Sequence, residues 1–288
     1  VKERLEEMPA ASRLIQRALR PLAGAPPAVV AARDDPTLAW NRSFWATYEW
    51  PQHGDEWSAP FGGTEAMWHG IVWPRVRAFL PCWHALEIGP GHGRWTQYLR
   101  RKCDRLTVVD VCPECVAACR QRFGDEARLA AVVNDGRSLR MLADDSIDFA
   151  FAWEALVHSG RAVVREYLHE LARTLRPGGH ALIHHSNLGA YRADQVEGLD
   201  PWRDLRGRSP DLTAALFRDD CRGAGLRCVS QEIIPWGPTS LWLDCLSLVA
   251  RDDAGMSRQT AVVERADWPQ EVETVRRTAR LYGRVTAA

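Results

Sequence analysis

The chain alternates short apolar runs with glycine, proline and charged turns, and helical spacing fills the gaps. Residues 84–94, HALEIGPGHGR, set the pattern. Ala85, Leu86 and Ile88 form an apolar run that stops at Gly89, Pro90, Gly91 and Gly93 and resumes as WTQYLRRK with a helical period. That sequence predicts a buried strand, a tight turn and a helix. RLTVVD at 105–110, LAAVV at 129–133, SIDFAFAW at 146–153 and HALIHHSN at 180–187 read as further strands, the last after the turn Arg176-Pro177-Gly178-Gly179. Helices are expected from near Pro113 and over Ala162 to Leu175. Strands alternating with helices predict an α/β fold with a parallel, doubly wound sheet.

The glycine turn also carries candidate chemistry. Glycines at alternate positions let the backbone come close to a ligand, and the helix that follows points unpaired N–H groups at it. A dinucleotide fingerprint needs a third glycine where this chain has Arg94, so the match to NAD is poor. Glu87, two residues before the first glycine, would repel a pyrophosphate and welcome a cationic amino-acid group. Asp110 ends the second strand about twenty residues after the turn, the offset at which an acid reaches ribose hydroxyls.

The pattern Glu87, Gly89, Gly91, Gly93 resembles motif I of the class I S-adenosylmethionine (SAM) dependent methyltransferases. The resemblance implies a Rossmann-like sheet of seven strands, with AALFRDDCRGAGLRCVSQEII as its last helix and sixth strand and SLWLDCLSLVAR, residues 240–251, as its seventh. It covers a core of residues 75–251 and implies SAM as cofactor. By the same resemblance Asp110 binds the ribose, Asp135 and Gly136 lie near the adenine, and Trp153 belongs to the cofactor side. Glu154 and His158 stand where the family places an acid and a residue one helical turn on.

Two regions flank or interrupt this core. Residues 1–74 form a candidate cap: an amphipathic helix over 1–20, a linker from Pro21 to Pro36, then a crowd of aromatic rings from Trp40 to Trp73. Some of these rings must be fillers of a helical layer, and others are candidates for closing an acceptor pocket. Trp57, Glu65 and Trp68 are the candidate acceptor contacts. The insertion at 187–210 is a candidate substrate wall or lid, with Asn187 and Tyr191 as its contact residues. Residues 252–288 read as a charged loop and a solvated helix, with no chemistry assigned.

Composition narrows the partners. Lys and Arg total 37 and Asp and Glu total 37, so no net field gathers nucleic acid. There is no run of eighteen or more apolar residues and no basic-then-apolar leader, so a cytoplasmic protein without membrane spans is expected. Cys112, Cys115 and Cys119 share a helix face and read as packing residues rather than zinc ligands.

Methyl transfer from a sulfonium needs alignment, exclusion of water, and a neutral amine or a hydroxyl losing its proton. His158, His184 and His185 are the candidate bases, with Glu154 beside them, and strand alternation allows at most one of the adjacent pair to face the acceptor. No set of three carboxylates marks a metal site, so a metal-independent reaction is expected. The reading is transfer to an amine, or a hydroxyl, of a small sugar or aminosugar unit of a natural product, aminoglycosides of antibiotic biosynthesis included. The alternatives are a sugar O-methyltransferase with a histidine base, an RNA or protein methyltransferase, and a catalytically silent SAM-fold partner.

Overall fold

The structure is a computed structural model that describes residues 35–124, 127–252 and 259–282. The amphipathic helix expected over 1–20 and almost all of the linker lie outside the described residues. Five parallel strands form one half of the sheet: β1 (Cys82–Ile88), β2 (Cys103–Asp110), β3 (Leu129–Val133), β4 (Ile147–Ala152) and β5 (Leu175–Ser186). β6 (Arg227–Ile234) and β7 (Asp244–Ala250) complete it, with β7 antiparallel to both β5 and β6. With an edge strand β8 (Ala261–Glu264) the order is β3-β2-β1-β4-β5-β7-β6-β8, so the chain reverses direction across the sheet between β1 and β4.

The eighth strand corrects the seven-stranded expectation. β8 (Ala261–Glu264) pairs in parallel with β6, Ser230 opposite Ala261 and Ile233 opposite Glu264. All four of its residues are exposed, so it has no buried face and no alternation for a sequence to display. Backbone pairing alone adds it to the edge.

Helices cover both faces because each strand sends alternate side chains to opposite sides. On one face, α6 (Arg161–Thr174) and α7 (Ala214–Gly223) bury Val164, Leu168, Leu171 and Phe217 against Leu86, Ala150 and Ile183. On the other face, Ala85, Val108, Phe149 and Phe151 meet Met67, Trp68, Ile71 and Val76. These last residues come from a near-continuous helical run: α2 (Thr64–Met67), a π-helical turn (Trp68–Val72) and α3 (Trp73–Val76). α4 (Thr96–Leu99) follows the glycine turn, and α5 (Pro113–Phe123) buries Cys115, Val116 and Cys119, while Cys112 is buried at its N-cap.

The cap's first described helix, α1 (Pro36–Thr47), starts where its sequence says it should. Asp35 accepts a hydrogen bond from the Thr37 N–H (2.8 Å), and proline fills the first helical position. A 3₁₀ turn (Asp55–Phe61) leads on to α2. At the other end, α8 (Trp268–Tyr282) packs back on this cap, joined through Arg75, which pairs with both Glu232 (2.8 Å) and Glu271 (3.0 Å). Among the described residues no helix is long and apolar enough to cross a membrane.

Candidate active site

A cavity of about 490 Å³ opens at the C-terminal ends of β1, β2 and β4, the switch point where open α/β sheets bind ligands. Its floor is Ile88 to Gly91, Val109 to Val111, Trp153 to Leu156, His158 and Ser159. Its roof comes from four other segments: α1 and the loop after it, the insertion, the loop after β6, and the first turn of α8.

The glycines of the turn are required, for a reason other than the one their spacing suggests. Gly89, Gly91 and Gly93 all have positive φ (70°, 56° and 84°). A Cβ on Gly89 would sit 2.4 Å from the Ala155 Cβ, one on Gly91 2.5 Å from the Trp50 ring, and one on Gly93 2.4 Å from the Phe123 ring. Protein occupies the space a side chain would need. What faces the cavity is backbone, at Gly89 and Gly91; Gly93 is not on the wall.

Asp110 lies on the cavity wall, and each of its carboxylate oxygens accepts one backbone N–H, from Gly91 (3.2 Å) and Cys112 (2.9 Å). Burial pushes its pKa up to about 6 against the pull of these N–H groups. Each oxygen keeps a lone pair for a ligand donor. Gly136 and Trp153 are also on the wall, and the Trp153 indole N–H is buried without a partner.

Two expected cofactor residues are placed elsewhere. Glu87 points into the layer behind the turn, accepts the Thr96 hydroxyl (2.6 Å), and does not line the cavity. Burial raises it to about 8, so it stands protonated at neutral pH and braces the start of α4. Asp135 is exposed and caps its own turn, accepting N–H bonds from Arg137 (2.9 Å) and Ser138 (2.7 Å). Burial would raise it, yet these bonds hold it below the usual range. The Gly136 N–H, expected near an adenine nitrogen, is taken by the Asn134 side chain (3.1 Å).

The three histidines separate. His158 is on the cavity wall, and its Nδ1 lies 2.9 Å from the Gly207 carbonyl, which can only accept. Nδ1 therefore carries the hydrogen and Nε2 a lone pair. Burial, helped by Arg208, lowers its pKa to about 3. The rings of Trp45, Trp202 and Trp40 surround it at 5.5, 6.0 and 6.4 Å.

His184 and His185 do face opposite ways, and neither lines the cavity. His184 accepts the Glu154 N–H at Nδ1 (3.3 Å) and donates to Asp244 from Nε2 (2.8 Å), between the Trp153 and Trp236 rings. It positions the wall, because it helps hold Glu154 at a φ of 55°. Burial alone would raise Asp244, but Arg208 (2.6 Å) and His184 keep its carboxyl well below the carboxylate range. His185 stacks on Phe217 (4.0 Å) and bonds Ser247 on the far side of the sheet, with burial lowering it to about 3. Glu154 reaches the cavity and pairs with Arg94.

Of the expected acceptor contacts, Trp57 alone is on the wall. Glu65 is exposed on the outer face of α2. Trp68 is 1% exposed and stacks on Tyr98 (4.8 Å) in the core. The Asn187 side chain ties β5 to α7, accepting from the Ala214 N–H (2.9 Å) and donating to the Trp242 carbonyl (2.9 Å). The Tyr191 hydroxyl accepts the Trp242 N–H (2.7 Å). The walls were instead built by residues not chosen from sequence: Asn41, Trp45 and Trp50 from the cap, Trp202, Arg206 and Arg208 from the insertion, and Trp236 and Trp268 beyond it. The tail read as solvated thus supplies part of the roof.

What joins cap to insertion is a stack. The Trp202 ring lies 5.0 Å from Phe44 and 4.6 Å from Trp40. Asn41 ties α1 to the segment after β4 instead, donating to the His158 carbonyl (3.2 Å) while accepting from Trp45 of its own helix (3.1 Å).

Residues 85–179 match the family described as "Methyltransferase domain". The chain is 36% identical over 104 residues to Nodulation protein S of Rhizobium tropici, and 34% identical over 104 residues to that of Sinorhizobium fredii. Each alignment spans 36% of this chain and, respectively, 43% and 47% of the relative, so the chain matches less than half the length of either. Among solved structures it is similar to N-methyltransferase NodS from Bradyrhizobium japonicum WM9 in complex with S-adenosyl-L-homocysteine (SAH). That likeness has a TM-score of 0.51 at 18% identity and covers 74% of this chain and 98% of that one. The core has the class I SAM-dependent methyltransferase fold.

Proposed function

We propose that this protein transfers a methyl group from SAM to the amine of a small sugar-type acceptor held under the aromatic roof. The observation that carries the reading is one cavity lined by two unlike sets of groups: the glycine-turn backbone with Asp110, and neutral His158 among tryptophans.

The residues present fit SAM. The Gly89 and Gly91 backbone forms part of the floor, Asp110 has lone pairs for two ribose hydroxyls, and Trp153 has an unpaired N–H. When bound, SAM supplies a methyl on a positively charged sulfur. The remaining work is done by the chain. Trp45, Trp57 and Trp202 keep water out, and the lone pair on His158 Nε2 accepts an N–H and sets the direction of the nitrogen.

The same histidine favours nitrogen over oxygen. A base lowered to about 3 holds no proton at neutral pH and is poorly matched to taking one from a sugar hydroxyl, whereas an amine can release its proton to solvent. Among the described residues on the wall, Asp110 and Glu154 are the acids, and Glu154 is paired with Arg94. That charge favours an aminosugar over a polycationic aminoglycoside. An RNA or protein acceptor would need the stacked roof to part. A cytoplasmic location goes with the proposal.

The test is calorimetric binding of SAH, then methyl transfer to glucosamine-type amines, neutral glycosides and tRNA. Binding with turnover on an amine supports the reading. Turnover on RNA alone would keep the cofactor and overturn the acceptor; absence of SAH binding would overturn both.

A further inference from the structure

The cavity's cations are not alike. Arg94 is engaged by Glu154, and Arg208 by Asp244, with its third nitrogen donating to the Arg206 carbonyl (2.9 Å). Arg206 also lines the cavity, yet its guanidinium has no hydrogen bond or ion pair among the described residues. The acids whose charge it feels are already taken: Glu154 by Arg94, Asp244 by Arg208 and His184, and Asp204 by Arg203 (2.7 Å).

The side chain is held rather than loose. Arg206 sits at a φ of 55°, a backbone conformation that costs energy for any residue but glycine. Its stem lies against Gly237 in the loop after β6, where a Cβ would come within 3.3 Å of the Arg206 Cγ. A strained backbone thus places a half-buried guanidinium without a hydrogen bond or ion pair among the described residues on the wall of an aromatic cavity. A desolvated cation without a partner is costly, and a ligand anion removes that cost.

Building on the methyl-transfer reading, we infer that Arg206 is a specificity-determining residue that receives an anionic group, carboxylate or phosphate, carried by the acceptor beside its amine. Burial and the neighbouring Arg208 push the Arg206 guanidinium below its ordinary pKa, the direction an anionic ligand would reverse.

The test holds the amine constant and varies the anion. SAH-loaded protein is titrated by calorimetry with glucosamine, muramic acid and glucosamine 6-phosphate. At least one acidic sugar should bind about tenfold more tightly than glucosamine, as expected of a charge-assisted contact. Which of the two does so identifies the anion. R206Q should abolish the preference with SAH affinity within about twofold of wild type, and R206K, which keeps the charge but not the planar fork, should keep part of it. Glucosamine binding as well as both acids, or R206Q retaining the preference, would overturn the inference. So would R206Q losing about tenfold in SAH affinity, since that would put the guanidinium on the cofactor. Wild type that takes no SAH overturns the methyl-transfer reading and this inference with it; wild type that takes SAH without preferring an acid overturns this inference alone.

Discussion

At the floor of the cavity, Gly89 lies so close to Ala155 that one added carbon would collide, and Asp110 is tied by N–H groups of its own and the neighbouring strand-end turn. At the roof, Trp202 meets Trp40 and Phe44 across more than 150 residues of chain, and Arg206 leans on Gly237. The floor is set by local backbone geometry packed against the sheet. The roof is set by side chains that meet only after the chain has folded. The first suits a cofactor that must bind in one way, and the second suits an acceptor that the fold family does not prescribe.

The largest effect should come from breaking the floor. Gly89→Ala adds a Cβ at positive φ and 2.4 Å from Ala155, which should cost about 2–4 kcal/mol in chemical denaturation, from strain and overpacking together, and abolish SAH binding. Asp110→Asn leaves one acceptor oxygen for the Gly91 and Cys112 N–H groups, so it should cost about 1–3 kcal/mol of stability in denaturation and weaken SAH binding by a similar amount, read by calorimetry. Here the pH dependence has a definite sign. Ribose hydroxyls favour the ionised carboxylate, and the free carboxyl titrates at about 6, so wild-type affinity should be full above that pH and fall below it. The Asn variant should lose that fall.

Breaking the roof should do something different. Trp202→Ala removes ring contacts with Trp40, Phe44 and His158, worth about 0.5–1.5 kcal/mol each, so acceptor KM should rise about tenfold or more while SAH affinity stays within twofold. His158→Gln should lower kcat by about tenfold, less than the loss of a group that moves a proton, because His158 only directs the amine, again with cofactor binding intact. Glu65→Gln, on the exposed face of α2, should change neither constant measurably. A roof variant that damaged cofactor binding as much as a floor variant would erase the distinction.

The same contrast explains what could be read from sequence. The strands and the Gly89 and Asp110 positions announce themselves because strand, turn and helix follow one another within a few residues. Glu87 misled because its spacing is right but its side chain alternates away from the cavity and bonds Thr96. Trp57 and Trp68 look alike in an aromatic stretch; only packing sends one to the wall and buries the other on Tyr98. Arg206 lies in the insertion that reads as a substrate wall, where nothing local distinguishes it from the charged residues beside it, and Trp268 lies in the tail that reads as solvated. β8 has no inward face to reveal it.

The most direct test is one calorimetric series with SAH on wild type, Asp110→Asn and Trp202→Ala at pH 7.5. The account predicts one site per chain, a loss of about tenfold or more for the aspartate variant, and affinity within twofold for the tryptophan variant. No heat from wild type, or equal losses in both variants, would contradict it.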